Sequence, residues 1–152
     1  MSAVLLVKDV VPHKKTMSLL DEILEKGKES LKAKVMINEN SLFLTEGKIP
    51  AYVGIEYMAQ SIAAFSGSQE RSKGGEAKLG FLVGTRKYDS SVSCFLQNTT
   101  LIVDVEREFQ AVNGLGVFNC TISDDSGVIV TCVLNVFQPD DVDEFLSFNK
   151  KS

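Results

Sequence analysis

The chain has 152 residues, a net charge of −4 and a pI near 5.0, with 44% hydrophobic and 24% charged residues. That length suits one domain with a sizeable core, and the composition excludes disordered and fibrous classes. The acidic balance argues against a broad nucleic-acid-binding surface. No apolar run reaches the ~18–20 residues needed to cross a bilayer, which predicts no membrane insertion. The segment MSAVLLVKDV has no basic leader or cleavage-like site and reads as mature protein. The cysteines, Cys94, Cys120 and Cys132, are odd in number and form no CxxC pair. Each lies in an apolar, strand-like stretch, so free thiols in a cytoplasmic protein are expected.

Taken in order, residues 1–17 look irregular, with Pro12 followed by His13, Lys14 and Lys15. Ser18 to Lys26 and Leu31 to Asn38 flank the turn-like Gly27-Lys28-Glu29-Ser30 and read as a hairpin. A helix over Ser18 to Lys26 is the competing reading, because SLLDEILEK also fits helical periodicity. Pro50 suits a first helical turn, where its missing N–H costs little. From Ala51 to Phe65 the chain is apolar nearly all round, which predicts a buried helix from Pro50 to Gly67. Ser68 to Lys78 is polar and reads as a loop. Leu79 to Val83, the alternating Leu101, Val103 and Val105, Val117 to Ile122, and Val128 to Phe137 read as strands. Asp124-Asp125-Ser126-Gly127 reads as a hairpin turn. With no repeat or linker, the chain reads as one domain over 1–152. The order is two strands, one long helix, then three or four strands: an α+β fold with an antiparallel sheet wrapped around the helix.

Within the helix Glu56 is the one side chain expected to carry charge. A carboxylate in an apolar helix needs partners or a raised pKa, and the latter is what a general acid or base near neutral pH requires. Gln60 lies one turn on, on the same face, where it could orient Glu56 or a substrate oxygen. A solvated or ion-paired acid at a helix end is the alternative. His13 is the only histidine, and histidine is the commonest proton-transfer group near neutral pH; the alternative is an exposed or capping residue. Lys14, Lys15, Lys73, Lys78, Arg86 and Lys87 could form a small patch for an acidic or phosphate-bearing partner. One histidine and no acid cluster at ligand spacing predict no metal site. Lys73-Gly74-Gly75 and Gly114-Leu115-Gly116 lack the context of a phosphate loop.

Four segments resemble the hotdog-fold 3-hydroxyacyl-acyl carrier protein dehydratases. Val11-Pro12-His13-Lys14, followed by Ser18 to Leu24, is similar to the family's LPHR-type start and first strand. PAYVGIEYMAQ, residues 50–60, is similar to the central-helix motif PGxxxxEAMAQ and is the most specific of the four. Leu79 to Tyr88 resembles the strand after the helix, and Leu101 to Glu106 a later strand. The resemblance implies a hotdog fold paired into a dimer, homomeric or mixed with another hotdog subunit. It implies dehydration of a 3-hydroxyacyl thioester carried on an acyl carrier protein's phosphopantetheine, with no metal or redox cofactor and with Glu56 as catalytic acid.

Two features depart from the pattern. The family's GHFPG histidine has no counterpart in Leu42 to Pro50, and the glycine after the family's proline is Ala51 here. The chain most resembles an atypical subgroup associated with polyene or polyketide-like lipid synthesis, in which His13 would stand in for the missing base. The amides of Ala51 and Tyr52 at the helix N-terminus are expected to polarise the thioester carbonyl. Thioester hydrolysis by the helix carboxylate, and a non-catalytic acyl-binding or partner subunit, are the competing functions.

Overall fold

The computed structural model describes residues 19–72, 81–112 and 114–137, with side chains given for all of these except 68–72, 81–83 and 86. Strand β1 (Glu22–Lys26) turns at Gly27 into β2 (Ser30–Met36). The short β3 (Lys48–Pro50) leads through a 3-10 turn (Ala51–Val53) into helix α1 (Gly54–Ser72). Then come β4 (Phe81–Ser90), the short β5 (Cys94–Leu96), β6 (Thr100–Gln110), β7 (Leu115–Asp124) and β8 (Gly127–Phe137). Six strands form an antiparallel sheet in the order β1-β2-β6-β7-β8-β4, and β3 pairs with β5 in a separate ribbon.

Alternation explains the sheet. Leu31, Ala33 and Val35 on β2, Leu101, Val103 and Val105 on β6, and Phe118, Cys120 and Ile122 on β7 are all buried, with more accessible residues between them. These rows form the floor on which α1 lies, across β2, β6 and β7. The helix presents Tyr57, Met58, Ile62 and Phe65 to the interior, and Phe65 meets Phe118 edge to face with ring centroids 5.9 Å apart. Lys26 and Arg107 stand over the Phe65 ring at 5.5 and 5.2 Å, and a 2.7 Å ion pair to Glu29 fixes Arg107 there.

The predicted hairpin is present, so the helical reading of SLLDEILEK falls. The backbone of Gly27 donates to the Ser30 carbonyl at 2.9 Å, and the Met36 N–H is held by Asp21 at 2.6 Å. Both partner strand and turn lie within local reach, and pairing wins over a periodicity that offers no apolar face to bury: every residue of β1 is exposed. The second predicted turn also holds. Asp124 accepts the Ser126 N–H at 2.8 Å, and Gly127 takes the positive φ of 117° that closes β7 onto β8.

The helix outruns its expected end. Gly67 is buried inside α1, which continues to Ser72 over the start of the loop predicted for Ser68 to Lys78; the rest of that segment lies outside the described residues. Burial of the Phe65 turn outweighs the ~1 kcal/mol penalty of an interior glycine. The strand expected over Leu79 to Val83 is described from Phe81, since Leu79 and Gly80 lie outside the described residues, and it runs on through Ser90, held to β8 across two register shifts. Among the described residues five strands, not three or four, follow the helix.

Phe118→Ala removes the edge-on partner of Phe65 and is expected to cost about 3–5 kcal/mol in urea unfolding. Burial pushes the Cys132 thiol up to about 11 and raises that of its cross-strand neighbour Cys120 as well. The unfolded chain releases these protons near pH 9 and the native chain keeps them, so stability should fall as pH rises from about 9 to about 11. At pH 8 a thiol reagent should react promptly with half-exposed Cys94 alone, and with all three cysteines after unfolding.

Candidate active site at the start of the central helix

Pro50 enters the 3-10 turn with φ −56° and ψ 141°, the extended geometry its ring favours. The next peptide groups are held from two sides. The Ala51 N–H donates to the Ser93 carbonyl at 3.0 Å. The Ala51 carbonyl accepts the Tyr88 hydroxyl at 2.5 Å and also the backbone N–H of Gly54. In this arrangement the Ala51 amide, expected to face a substrate, is engaged by the Ser93 carbonyl. The Tyr52 amide is the next along, in the first turn, where helical geometry supplies no intrahelical acceptor.

Tyr52, Glu56 and Gln60 are spaced by four and share one face of the helix. Burial deepens along this stripe: the Tyr52 side chain is 67% exposed, Glu56 is half-buried with Oε2 closed off from solvent, and Gln60 is 8% exposed. Glu56 stands in the first turn of α1, where the helix dipole favours a carboxylate. The Gln60 carboxamide oxygen accepts the Leu19 N–H at 2.8 Å, which ties the incoming chain to the helix one turn beyond Glu56. That oxygen is thereby engaged.

Ala51 and Tyr52 thus lie in the turn that enters the helix, and Glu56 and Gln60 follow Tyr52 at four-residue steps. His13, the proposed partner of Glu56, lies outside the described residues, as do Lys14, Lys15, Lys73, Lys78 and the Arg86 side chain. Lys87 is exposed and 3.7 Å from Asp89. Among the described residues no three His, Cys, Asp or Glu side chains gather as metal ligands. Tyr88 and Ser93 were not marked as site residues. Tyr88 lies within the family-like segment after the helix, but a lone tyrosine in a polar strand carries no signal of what it will touch. Ser93 acts through its backbone, which no residue type announces.

Gly54 completes the geometry. A Cβ built there would overlap the Tyr88 hydroxyl and come within 2.9 Å of Ile122 Cδ1. The glycine is what lets Tyr88 reach under the helix start.

The six-stranded antiparallel sheet cradling one helix defines a hotdog fold, seen also in the PaaI protein of Escherichia coli (10% identity, TM-score 0.63, 90% of this chain and 96% of that one). A thioesterase-described protein of Streptococcus pneumoniae TIGR4, solved with coenzyme A, shares that fold at 12% identity and TM-score 0.58, over 77% of this chain and 84% of that one. A family profile described as ApeP dehydratase matches residues 5–147, and the chain belongs to this ApeP-like family. The dehydratase heterocomplex ApeI:P of Xenorhabdus doucetiae contains a chain 28% identical to it, with a TM-score of 0.82 over 94% of this chain and 97% of that one. No curated protein sequence matches.

The glycine gives a test of sign. On helix propensity alone Gly54→Ala should stabilise the chain by up to ~1 kcal/mol. The overlap with Tyr88 predicts the reverse: a melting temperature lower by several degrees, partly restored in Gly54→Ala/Tyr88→Phe, measured by thermal unfolding.

Proposed function

We propose that this chain dehydrates a 3-hydroxyacyl thioester, carried on the phosphopantetheine of an acyl carrier protein, to the trans-2-enoyl thioester. The pathway class is fatty-acid or polyene/polyketide-type synthesis. The observation that carries the reading is the Tyr52–Glu56–Gln60 stripe, with one half-buried carboxyl at a helix N-terminus in a chain of a dehydratase family. The stripe alone fits any chemistry that uses one acid beside an amide donor; membership of the family selects dehydration.

In this reading His13 removes the C2 proton beside the thioester carbonyl. The enolate-like oxygen that develops is met by the Tyr52 amide at the positive end of the helix. Glu56 gives its proton to the departing 3-hydroxyl, which leaves as water as the C2–C3 double bond forms. The proton gained by His13 and the one lost by Glu56 then balance, so the site resets by exchange with solvent. Gln60 holds the Glu56 face through its NH2 group. Covalent reach supports the pairing. Leu19 is anchored to Gln60, and the six residues back to His13 span at most ~20 Å, more than the single helical turn from Gln60 to Glu56 needs.

The reaction needs no metal or redox cofactor. The partner in this proposal is the acyl carrier protein, in the cytoplasm. The chain would act as a dimer, homomeric or mixed with a second hotdog subunit, a reading supported by the ApeI:P heterocomplex.

Mass spectrometry of a 3-hydroxyacyl carrier protein incubated with the full chain tests the proposal. Loss of one water from the acyl group is expected, and Glu56→Gln or His13→Ala should lower the rate about 10²- to 10⁴-fold. Full activity in both variants would overturn the residue assignment. Release of the free carrier thiol without enoyl product would identify hydrolysis instead.

A further inference from the structure

Tyr88 is absent from the scheme above, yet its hydroxyl makes a short contact at the helix start. Its acceptor is the carbonyl of Ala51. That carbonyl and the Tyr52 N–H belong to one peptide unit, which is planar and trans, since the chain has no cis peptide bond among the described residues. In a trans unit the C=O and N–H point in opposite directions. Whatever fixes one therefore fixes the other.

We propose that Tyr88 is a positioning residue: by gripping the Ala51 carbonyl it aims the Tyr52 N–H outward from the helix start and strengthens it as the donor to the thioester oxygen. The inference deepens the functional reading above and rests on it.

Four observations converge. The Ala51 carbonyl accepts two hydrogen bonds, from Tyr88 Oη and from the Gly54 N–H. Hydrogen bonds into a carbonyl polarise its peptide and make the N–H on the far side a better donor. The preceding peptide unit is restrained by the bond from the Ala51 N–H to the Ser93 carbonyl, so the backbone on both sides of the Ala51 Cα is held, from β4 and from the β4–β5 connection. Gly54 provides the room the hydroxyl needs. Finally, Tyr88 stands on β4 opposite Cys132 of β8, within the main sheet, so the grip on the helix comes from a rigid strand rather than from a loop. Burial raises the Tyr88 phenol above its ordinary range, so the hydroxyl stays protonated and remains a donor across the working pH.

A purely structural tyrosine would also hydrogen-bond a carbonyl, so the test must separate the two roles. Tyr88→Phe removes the hydroxyl and keeps the ring. In the full chain, assayed with a 3-hydroxyacyl thioester of pantetheine, kcat should fall about tenfold, less than the ~10²- to 10³-fold of losing an oxyanion donor outright. KM should stay within about twofold, because the bond acts on the developing charge rather than on the ground state. Ring-fluorinated tyrosines at position 88, which are stronger donors, should raise kcat in step with donor strength. The Tyr52 amide resonance in a two-dimensional nitrogen–proton spectrum should move in Tyr88→Phe while resonances of β6 and β7 stay in place.

Wild-type kcat in Tyr88→Phe, or an unmoved Tyr52 resonance in a folded variant, would overturn the inference while leaving the dehydratase reading intact. If the wild-type chain dehydrates nothing, the functional reading fails, and the Tyr52 resonance still decides whether Tyr88 governs this amide.

Discussion

Burying the start of a helix obliges each peptide group there to find a partner, because water no longer supplies one. At the mouth of α1 the partners come from far along the chain: Ser93 for the Ala51 N–H and Tyr88 for its carbonyl. These two bonds force the β4–β5 segment to run beside the helix entrance. That placement in turn fixes the β3–β5 ribbon, in which Ile49 lies opposite Phe95 and both are buried. Satisfying one residue's backbone therefore arranges the wall around the N-terminal end of the helix. The Tyr52 amide follows in the same turn, one turn from Glu56.

The same arrangement separates stiffness from chemistry. The sheet supplies a rigid base through alternating apolar rows, and α1 lies on β2, β6 and β7 with Phe65 locked against Phe118. The proposed reacting groups stand on the opposite margin, on a stripe that grades from solvent at Tyr52 to interior at Gln60. Such a gradient suits a thioester reaction: the bulky carrier arm can stay outside while the acyl carbons reach the carboxyl. Leu19, held by Gln60, lies at the same margin.

Much of this could be read from residue order, and the parts that could not share a cause. The β1–β2 and β7–β8 hairpins were legible because their turn residues, Gly27 and Asp124 to Gly127, lie between their own strands. The helix was legible because Pro50 opens it and Glu56 is the only acid between Ala51 and Phe65. Three short or distant features escaped. Strands β3 and β5 have three residues each and exist only by pairing with one another across the intervening helix. Gly67 looked like a helix end because the burial of neighbouring turns is invisible to local propensity. Ala51 was expected to lend its amide to a substrate, and only the fold shows Ser93 taking that amide first. Its neighbour Tyr52 keeps the expected role within the proposed mechanism.

The exposed strand at the margin of the main sheet has its own consequence. An unpaired edge is an invitation to a foreign strand, and β1 refuses it in several ways. It is only five residues long, carries Glu22, Glu25 and Lys26, and is interrupted by a register shift between Ile23 and Glu25. An approaching backbone would meet charge where it needs flatness and a broken ladder where it needs continuity. At this edge Ile23 and Leu24 can therefore stay at the surface without offering a flat, continuous template to a second strand.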